Sequence, residues 1–348
     1  MNSRKDHFYV VAQSAYTAGG IYRYAVDDDG GVRRQAFRHV QNSNWLEVAP
    51  DGSLGYAGGI VDGKGVLYAL PLRDFDNPES PAQTLPVNVQ GCICHIAVHE
   101  AGRRLYTANY VDGSFSEIEL DDRGWPLRLQ RTVKHSGHGP NAQRQEQAHV
   151  HQVNITPDGK FLAVVDLGTD AIYAYPLDCR RGADTENVII SRVTPPGSGP
   201  RHLVFSPDGK YAYLVTELGN TLVSLEYSDG RFQPLMTCTT LPEGWHGDSA
   251  AAAIRIAPDG KALFITNRGH NSAAIFGCRG GEISLQEIIP CGGDCPRDGN
   301  FIAGGKYYLV SNQGSNAVTI FQRSRQDNKL CAIPERILLP SPMLVVPG

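Results

Sequence analysis

Histidines and arginines with a glutamate, at His95, His149, His151, Arg201, His202, Arg268, Arg297 and Glu217, give this 348-residue chain the makings of a site for a small anion. Arginine offers a planar fork of N–H donors that matches phosphate or carboxylate. Histidine titrates near neutrality and moves a proton in either direction. A glutamate among arginines stays ionised and is able to orient a water or the imidazole. Such a set suits water-mediated hydrolysis, or addition–elimination on a small acid, with no cofactor and no metal. The chain holds no Gly-x-Ser-x-Gly elbow and no glycine-rich phosphate loop opening a helix, so nicotinamide and ATP chemistry are not expected.

These residues are far apart in sequence, so the fold must gather them. The stretch 199–227, GPRHLVFSPDGKYAYLVTELGNTLVSLEY, reads as strand, Pro-Asp-Gly turn, strand, turn, strand. Apolar and polar residues alternate with a period of two, and proline and glycine supply the turn conformations. Copies start near Trp45, His95, His151, Ala252 and Phe301. The residue after the turn falls at Ser53, Arg103, Lys160, Lys210, Lys261 and Lys306. A repeat of roughly 50 residues, each a four-stranded antiparallel blade, is the signature of a β-propeller. Met343–Val346 reads as a first strand without partners, while 8–13 and 20–26 read as second and third strands without a first. Pairing them closes the ring, removes the open edge and makes seven blades. The expectation is an all-β, seven-bladed propeller formed as one domain over residues 1–348.

Connectivity then defines the site. In each blade the first strand runs away from one rim and the second returns to it. Starts of first strands therefore share a rim with ends of second strands. That rim collects His95, His149, His151, Arg201, His202 and Arg297 from the starts, and Asn109, Asp166, Glu217, Asn267, Arg268, Asn312 and Gln313 from the ends. The Pro-Asp-Gly turns occupy the opposite rim. Structural readings stand beside the functional ones. Arg201 and Glu217 share a blade and are able simply to pair, Asp166 is placed to cap a turn, and asparagines are favoured in turns for backbone reasons.

Composition excludes other classes. With 32 basic and 36 acidic side chains the chain lacks the basic footprint of a nucleic-acid binder. No apolar run reaches membrane-spanning length, and the start lacks a signal-peptide core, so a cytoplasmic protein with no membrane partner is expected. The eight cysteines, Cys179 among them, are expected as reduced thiols, since Cys92/Cys94 and Cys291/Cys295 do not match common zinc spacings. The polar insertion 134–148, KHSGHGPNAQRQEQA, leads straight into His149 and His151 and is a candidate loop over the binding face.

Three stretches resemble the propeller-type lactonase family, which includes bacterial 6-phosphogluconolactonases and carboxymuconate lactonising enzymes. They are GHGPNAQRQEQAHVHQVNITPDGKFLAVVDLGTD from Gly137, GSGPRHLVFSPDGKYAYLVTEL from Gly197, and ITNRGHNS from Ile265. The resemblance implies a seven-bladed fold working at the channel mouth without an obligatory cofactor. It also implies that a histidine, two arginines and a glutamate are the active-site groups, at His151, Arg201, Arg268 and Glu217, with His149 two residues from the histidine position. His95, His149, His202, Asp166, Asn267, Arg297 and Asn312 are expected to contact substrate. The expected partner is a small anionic lactone or carboxylic acid. The leading expectation is 6-phosphogluconolactone hydrolysis in the pentose phosphate pathway, with Arg201 and Arg268 holding the phosphate or the developing oxyanion. A carboxymuconate cycloisomerase and a non-catalytic propeller that binds a partner on its rim are the alternatives.

Overall fold

The computed structural model of the protein describes residues 6–14, 16–27, 30–77, 80, 82–99, 103–178 and 181–348. Seven antiparallel sheets follow one another along the chain. The seam lies where expected: Pro342–Pro347 is the innermost strand of the first blade and pairs with His7–Ala12, which continues to Gly20–Val26 and Val32–His39. The innermost strands of the next six blades are Trp45–Val48, Ile93–His99, Val150–Ile155, Pro200–Phe205, Ala250–Ile256 and Pro296–Ile302. The blade begun by Val150–Ile155 departs from the four-stranded pattern. Its third strand, Ala171–Asp178, pairs with two short outer pieces, Gly182–Ala183 and Ile189–Ser191.

The repeated turn has one chemistry. Asp158, Asp208 and Asp259 each accept the backbone N–H two residues on, at 3.1 Å, and Asp51 does so at 2.9 Å. The intervening glycine sits at φ near +70°, a region side chains disfavour. Ser206 and Thr156 add a hydroxyl donated to the same aspartates at 2.6 Å. These turns stand on the rim opposite the candidate residues.

Blades adhere through apolar strand faces. Ala163, Val165 and Ile172 of one blade pack on Leu203, Leu214 and Val223 of the next, all fully buried or nearly so. Burying each large aliphatic side chain stabilises by about 1.5–3 kcal/mol, so the ring is rigid enough to hold polar groups at its mouth. No described helix is long and apolar enough to cross a membrane. The seven described cysteines are free thiols, and Cys179 lies outside the described residues.

Candidate active site

Six innermost strands carry a register shift just inside the same rim. In five of them the extra residue is Met343, Cys94, His151, Arg201 or Arg297. A bulge adds a residue and re-aims its side chain, and here it places consecutive residues on one surface. Arg201 with His202 and Arg297 with Asp298 line one recess at the channel mouth, together with Cys94, His151 and Met343 and, at the start of the unbulged strand, Asn44 and Trp45. The recess is narrow and opens to solvent, its space amounting to about 250 Å³ only when the open mouth is counted. A larger hollow, about 580 Å³, lies on the opposite rim among turn residues such as Asp51, Asp121 and Arg123, and holds none of the candidate groups.

Glu217 is the hub. Arg201 Nε donates to its Oε2 at 2.9 Å, Arg268 Nη2 lies 3.0 Å from the same oxygen, and Arg144 Nη2 donates to Oε1 at 2.5 Å. Burial alone would raise this carboxyl, but Arg268, Arg201, His151 and Arg144 overcome burial and hold it well below the usual carboxylate range. Glu217 therefore carries a fixed negative charge. No hydrogen bond joins it to His151, so the expectation that it orients the imidazole gives way to one in which it orients guanidiniums.

Backbone contacts complete the mounting. Arg201 Nη1 donates to Ala252 O at 2.6 Å, while Arg268 Nε and Nη2 donate to Ala250 O and Ala251 O at 3.2 and 3.3 Å. Small side chains at 250–253 let both arginines reach this backbone. Asp170 accepts from Gly197 N at 2.7 Å and Gly199 N at 2.8 Å, fixing the chain that enters at Arg201. Arg144, which sequence reasoning missed, comes from the polar insertion. Asn141 accepts its backbone N–H at 3.2 Å, and the neighbouring Gln145, fully buried, donates to Leu167 O at 2.8 Å. Its position in an insertion entering the His149–His151 strand was the available signal.

The two histidines separate clearly. His149 Nδ1 lies 3.0 Å from Tyr110 O, its Nε2 lies 3.1 Å from Glu146, and its ring stacks on Tyr110 at 4.5 Å. Both its nitrogens are engaged. His151 lines the recess, and its Nδ1 is buried with no hydrogen-bond partner among the described residues. Burial first, then the charges of Arg201, Arg297 and Arg268, lower its pKa well below the ordinary histidine value, so it is neutral at pH 7. His202 and His95 sit close by, with His202 at 5.1 Å from the His151 ring and 5.9 Å from that of His95. Burial likewise keeps both neutral. His95 stacks on Trp45 at 4.1 Å.

Three expected substrate contacts are corrected. Asp166, Asn267 and Asn312 end their strands fully buried. Asp166 Oδ1 accepts from the backbone of His149, Gly168 and Thr169 at 2.8, 2.9 and 3.2 Å, and Oδ2 pairs with His135 Nδ1 at 2.7 Å. Tyr175 donates to the other nitrogen of His135 at 2.9 Å. Asn267 bonds Thr240 and Ser272, and Asn312 bonds Val310 O and Thr319. In each case the strand-end amide or carboxylate is taken up by protein groups around it, the following turn for Asp166 and strand or strand-end residues for Asn267 and Asn312. Asp166→Ala is thus expected to lower stability by about 3 kcal/mol through several lost charge-assisted bonds. Urea unfolding, read beside KM, checks this: a raised KM with unchanged stability would contradict it.

Comparison with known proteins agrees with this architecture. The family model described as "Lactonase, 7-bladed beta-propeller" matches residues 7–347. The chain belongs to this lactonase family. A 6-phosphogluconolactonase of Bacillus subtilis is 29% identical to this family member over 346 residues, covering 97% of each chain. An uncharacterized protein of Lactococcus lactis is 36% identical over 312 residues, covering 88% of this chain and 89% of its own. The structure of a periplasmic gluconolactonase of Pseudomonas aeruginosa superposes with a TM-score of 0.88 at 27% identity, over 98% of both chains. At the level of the family, the protein is a lactonase-type hydrolase.

Proposed function

We propose that the protein hydrolyses 6-phospho-D-glucono-1,5-lactone to 6-phosphogluconate, with chemistry at the His151 mouth. The observation that carries this reading is a neutral, buried imidazole with an unpartnered nitrogen beside several guanidiniums. The relatives in Bacillus subtilis and Pseudomonas aeruginosa, a 6-phosphogluconolactonase and a gluconolactonase, support a sugar lactone as the substrate class.

In this mechanism His151 takes a proton from water as the water oxygen bonds to the lactone carbonyl carbon. Negative charge moves onto the carbonyl oxygen. Arg201 and Arg268 stabilise it through nitrogens with no partner among the described residues, Nη2 of Arg201 and Nη1 of Arg268, while Glu217 holds both forks still. Collapse of the tetrahedral species breaks the ring C–O bond, and His151 returns its proton to the departing alkoxide. The products are a carboxylic acid and a free hydroxyl; one water is consumed, and the acid then releases a proton to solvent to become the carboxylate.

The same guanidiniums would also suit the carboxylates of a carboxymuconate, whose cyclisation is the second reading. Incubation with freshly prepared 6-phosphogluconolactone, and separately with 3-carboxy-cis,cis-muconate, followed by product analysis distinguishes the two. Enzyme-dependent 6-phosphogluconate formation supports the lactonase. Cyclisation of muconate without lactone turnover replaces it.

A further inference from the structure

We infer that Arg297 anchors the anionic substituent of the substrate, so that the substrate lies across the recess with its charged end at Arg297 and its reacting carbonyl at Arg201 and His151. This rests on the lactone reading above and adds to it a division of labour among the arginines.

The inference follows from where each guanidinium spends its donors. Arg201, Arg268 and Arg144 converge on Glu217. Arg255 is bonded to Asp298 at 2.6 Å and to Ile254 O at 3.0 Å. Arg297 makes no side-chain hydrogen bond or ion pair with any described residue, although it lines the recess and is largely shielded from solvent. The carboxylate next to it in sequence is spoken for, because Asp298 is held by Arg255 and by the Val345 N–H at 3.3 Å. Arg297 is thus the mouth arginine whose planar fork has no protein anion to match.

A shielded guanidinium without a partner is costly for the free protein. Its position is nevertheless built, not incidental. Arg297 is the extra residue of a bulge, preceded by Pro296, just as Arg201 is the extra residue of a bulge preceded by Pro200. A terminal phosphate or carboxylate would accept from the fork through two parallel bonds. Arg201 and Arg268 are half-neutralised by Glu217, which suits them to a charge that develops only during reaction, whereas a group that arrives charged needs an uncompensated cation. Asn44 also lines the recess, and its side-chain carbonyl is buried without a partner among the described residues, ready to accept a substrate hydroxyl. A polyol lactone with a terminal oxyanion satisfies both.

The test compares 6-phosphogluconolactone with unphosphorylated glucono-1,5-lactone on the wild type, Arg297→Gln and Arg297→Lys, with folding checked by thermal melting. Arg297→Gln is expected to lose about 10- to 100-fold in kcat/KM on the phosphorylated substrate, mostly through KM, and to change less than about threefold on the neutral one. Arg297→Lys should recover part of the loss. Equal losses on both substrates, or none on the phosphorylated one, overturn the anchor while leaving the lactonase standing. Should the wild type turn over neither lactone, the lactonase reading fails by itself. The anchor is then decided by calorimetric binding of 6-phosphogluconate: weaker binding by Arg297→Gln supports it, and equal affinity overturns it.

Discussion

His151→Ala is expected to lower kcat on 6-phosphogluconolactone by about 10²- to 10⁴-fold, with little change in stability. The substitution removes a buried histidine that lines the recess with Arg201 and whose Nδ1 has no hydrogen-bond partner among the described residues. His149→Ala should act differently, loosening the insertion through lost contacts to Tyr110 and Glu146. The pH profile carries a further signature. An ordinary histidine base loses activity as pH falls through about 6.5. Burial, followed by Arg201, holds the His151 value lower, so kcat/KM should stay level through pH 6.5 and fall only at more acidic values. Arg297 also opposes protonation. Removing that cation makes protonation easier, raises the pKa and moves the acid limb to higher pH. Rates measured from pH 4.5 to 8 on the neutral lactone check both points. An acid limb at or above pH 6.5 in the wild type would contradict the assignment.

Glu217→Gln is expected to destabilise the protein by about 3–5 kcal/mol, the usual loss when one partner of a buried ion pair is removed. The isosteric amide keeps the shape but leaves Arg201 and Arg268 facing each other without an anion. Arg144 contributes less, because its side chain is partly exposed and its charge is screened. The sign of the pH dependence follows from the depressed carboxyl. A carboxylate whose folded pKa lies below its unfolded value, about 4.3, contributes stability fully above that value and loses it as pH falls toward the folded one. The gap between wild type and Glu217→Gln in urea unfolding should therefore be complete at pH 7 and narrow below pH 4. A gap that is absent at pH 7, or that widens in acid, would show that Glu217 is not the structural hub of the mouth.

Much of this was legible in the sequence because it depends on periodicity and connectivity. The Pro-Asp-Gly turns repeat at blade spacing, and their aspartates do the same bonding each time. The partnerless strands at the two ends had one simple resolution, and Pro342–Pro347 adopts it against His7–Ala12. Strand direction alone put His151, Arg201, Glu217 and Arg268 on one rim. What strand alternation does not carry is the bulge. An unbroken strand sends neighbours to opposite faces, so alternation admits Arg201 or His202 to the recess, not both. A proline just before the extra residue, at 200–201, 296–297 and 342–343, is a trace of these bulges in the sequence. Strand ends posed the second difficulty. Asp166, Asn267 and Asn312 look like rim ligands by position, yet each is fully buried and bonded to surrounding protein groups. Arg144 was hidden for another reason: its reach to Glu217 depends on how an insertion folds, which repeats cannot specify.

The most direct test is initial-rate hydrolysis of freshly made 6-phosphogluconolactone, corrected for spontaneous opening, with wild type beside Arg268→Ala. Arg268 is suited to this because its side chain is partly exposed, so its removal disturbs folding less than loss of the buried Arg201. The account predicts turnover well above the spontaneous rate in the wild type and a drop of about 10²-fold in the folded variant, as for loss of a donor to a developing oxyanion. A wild-type rate equal to spontaneous hydrolysis, or a variant as fast as the wild type, would contradict it.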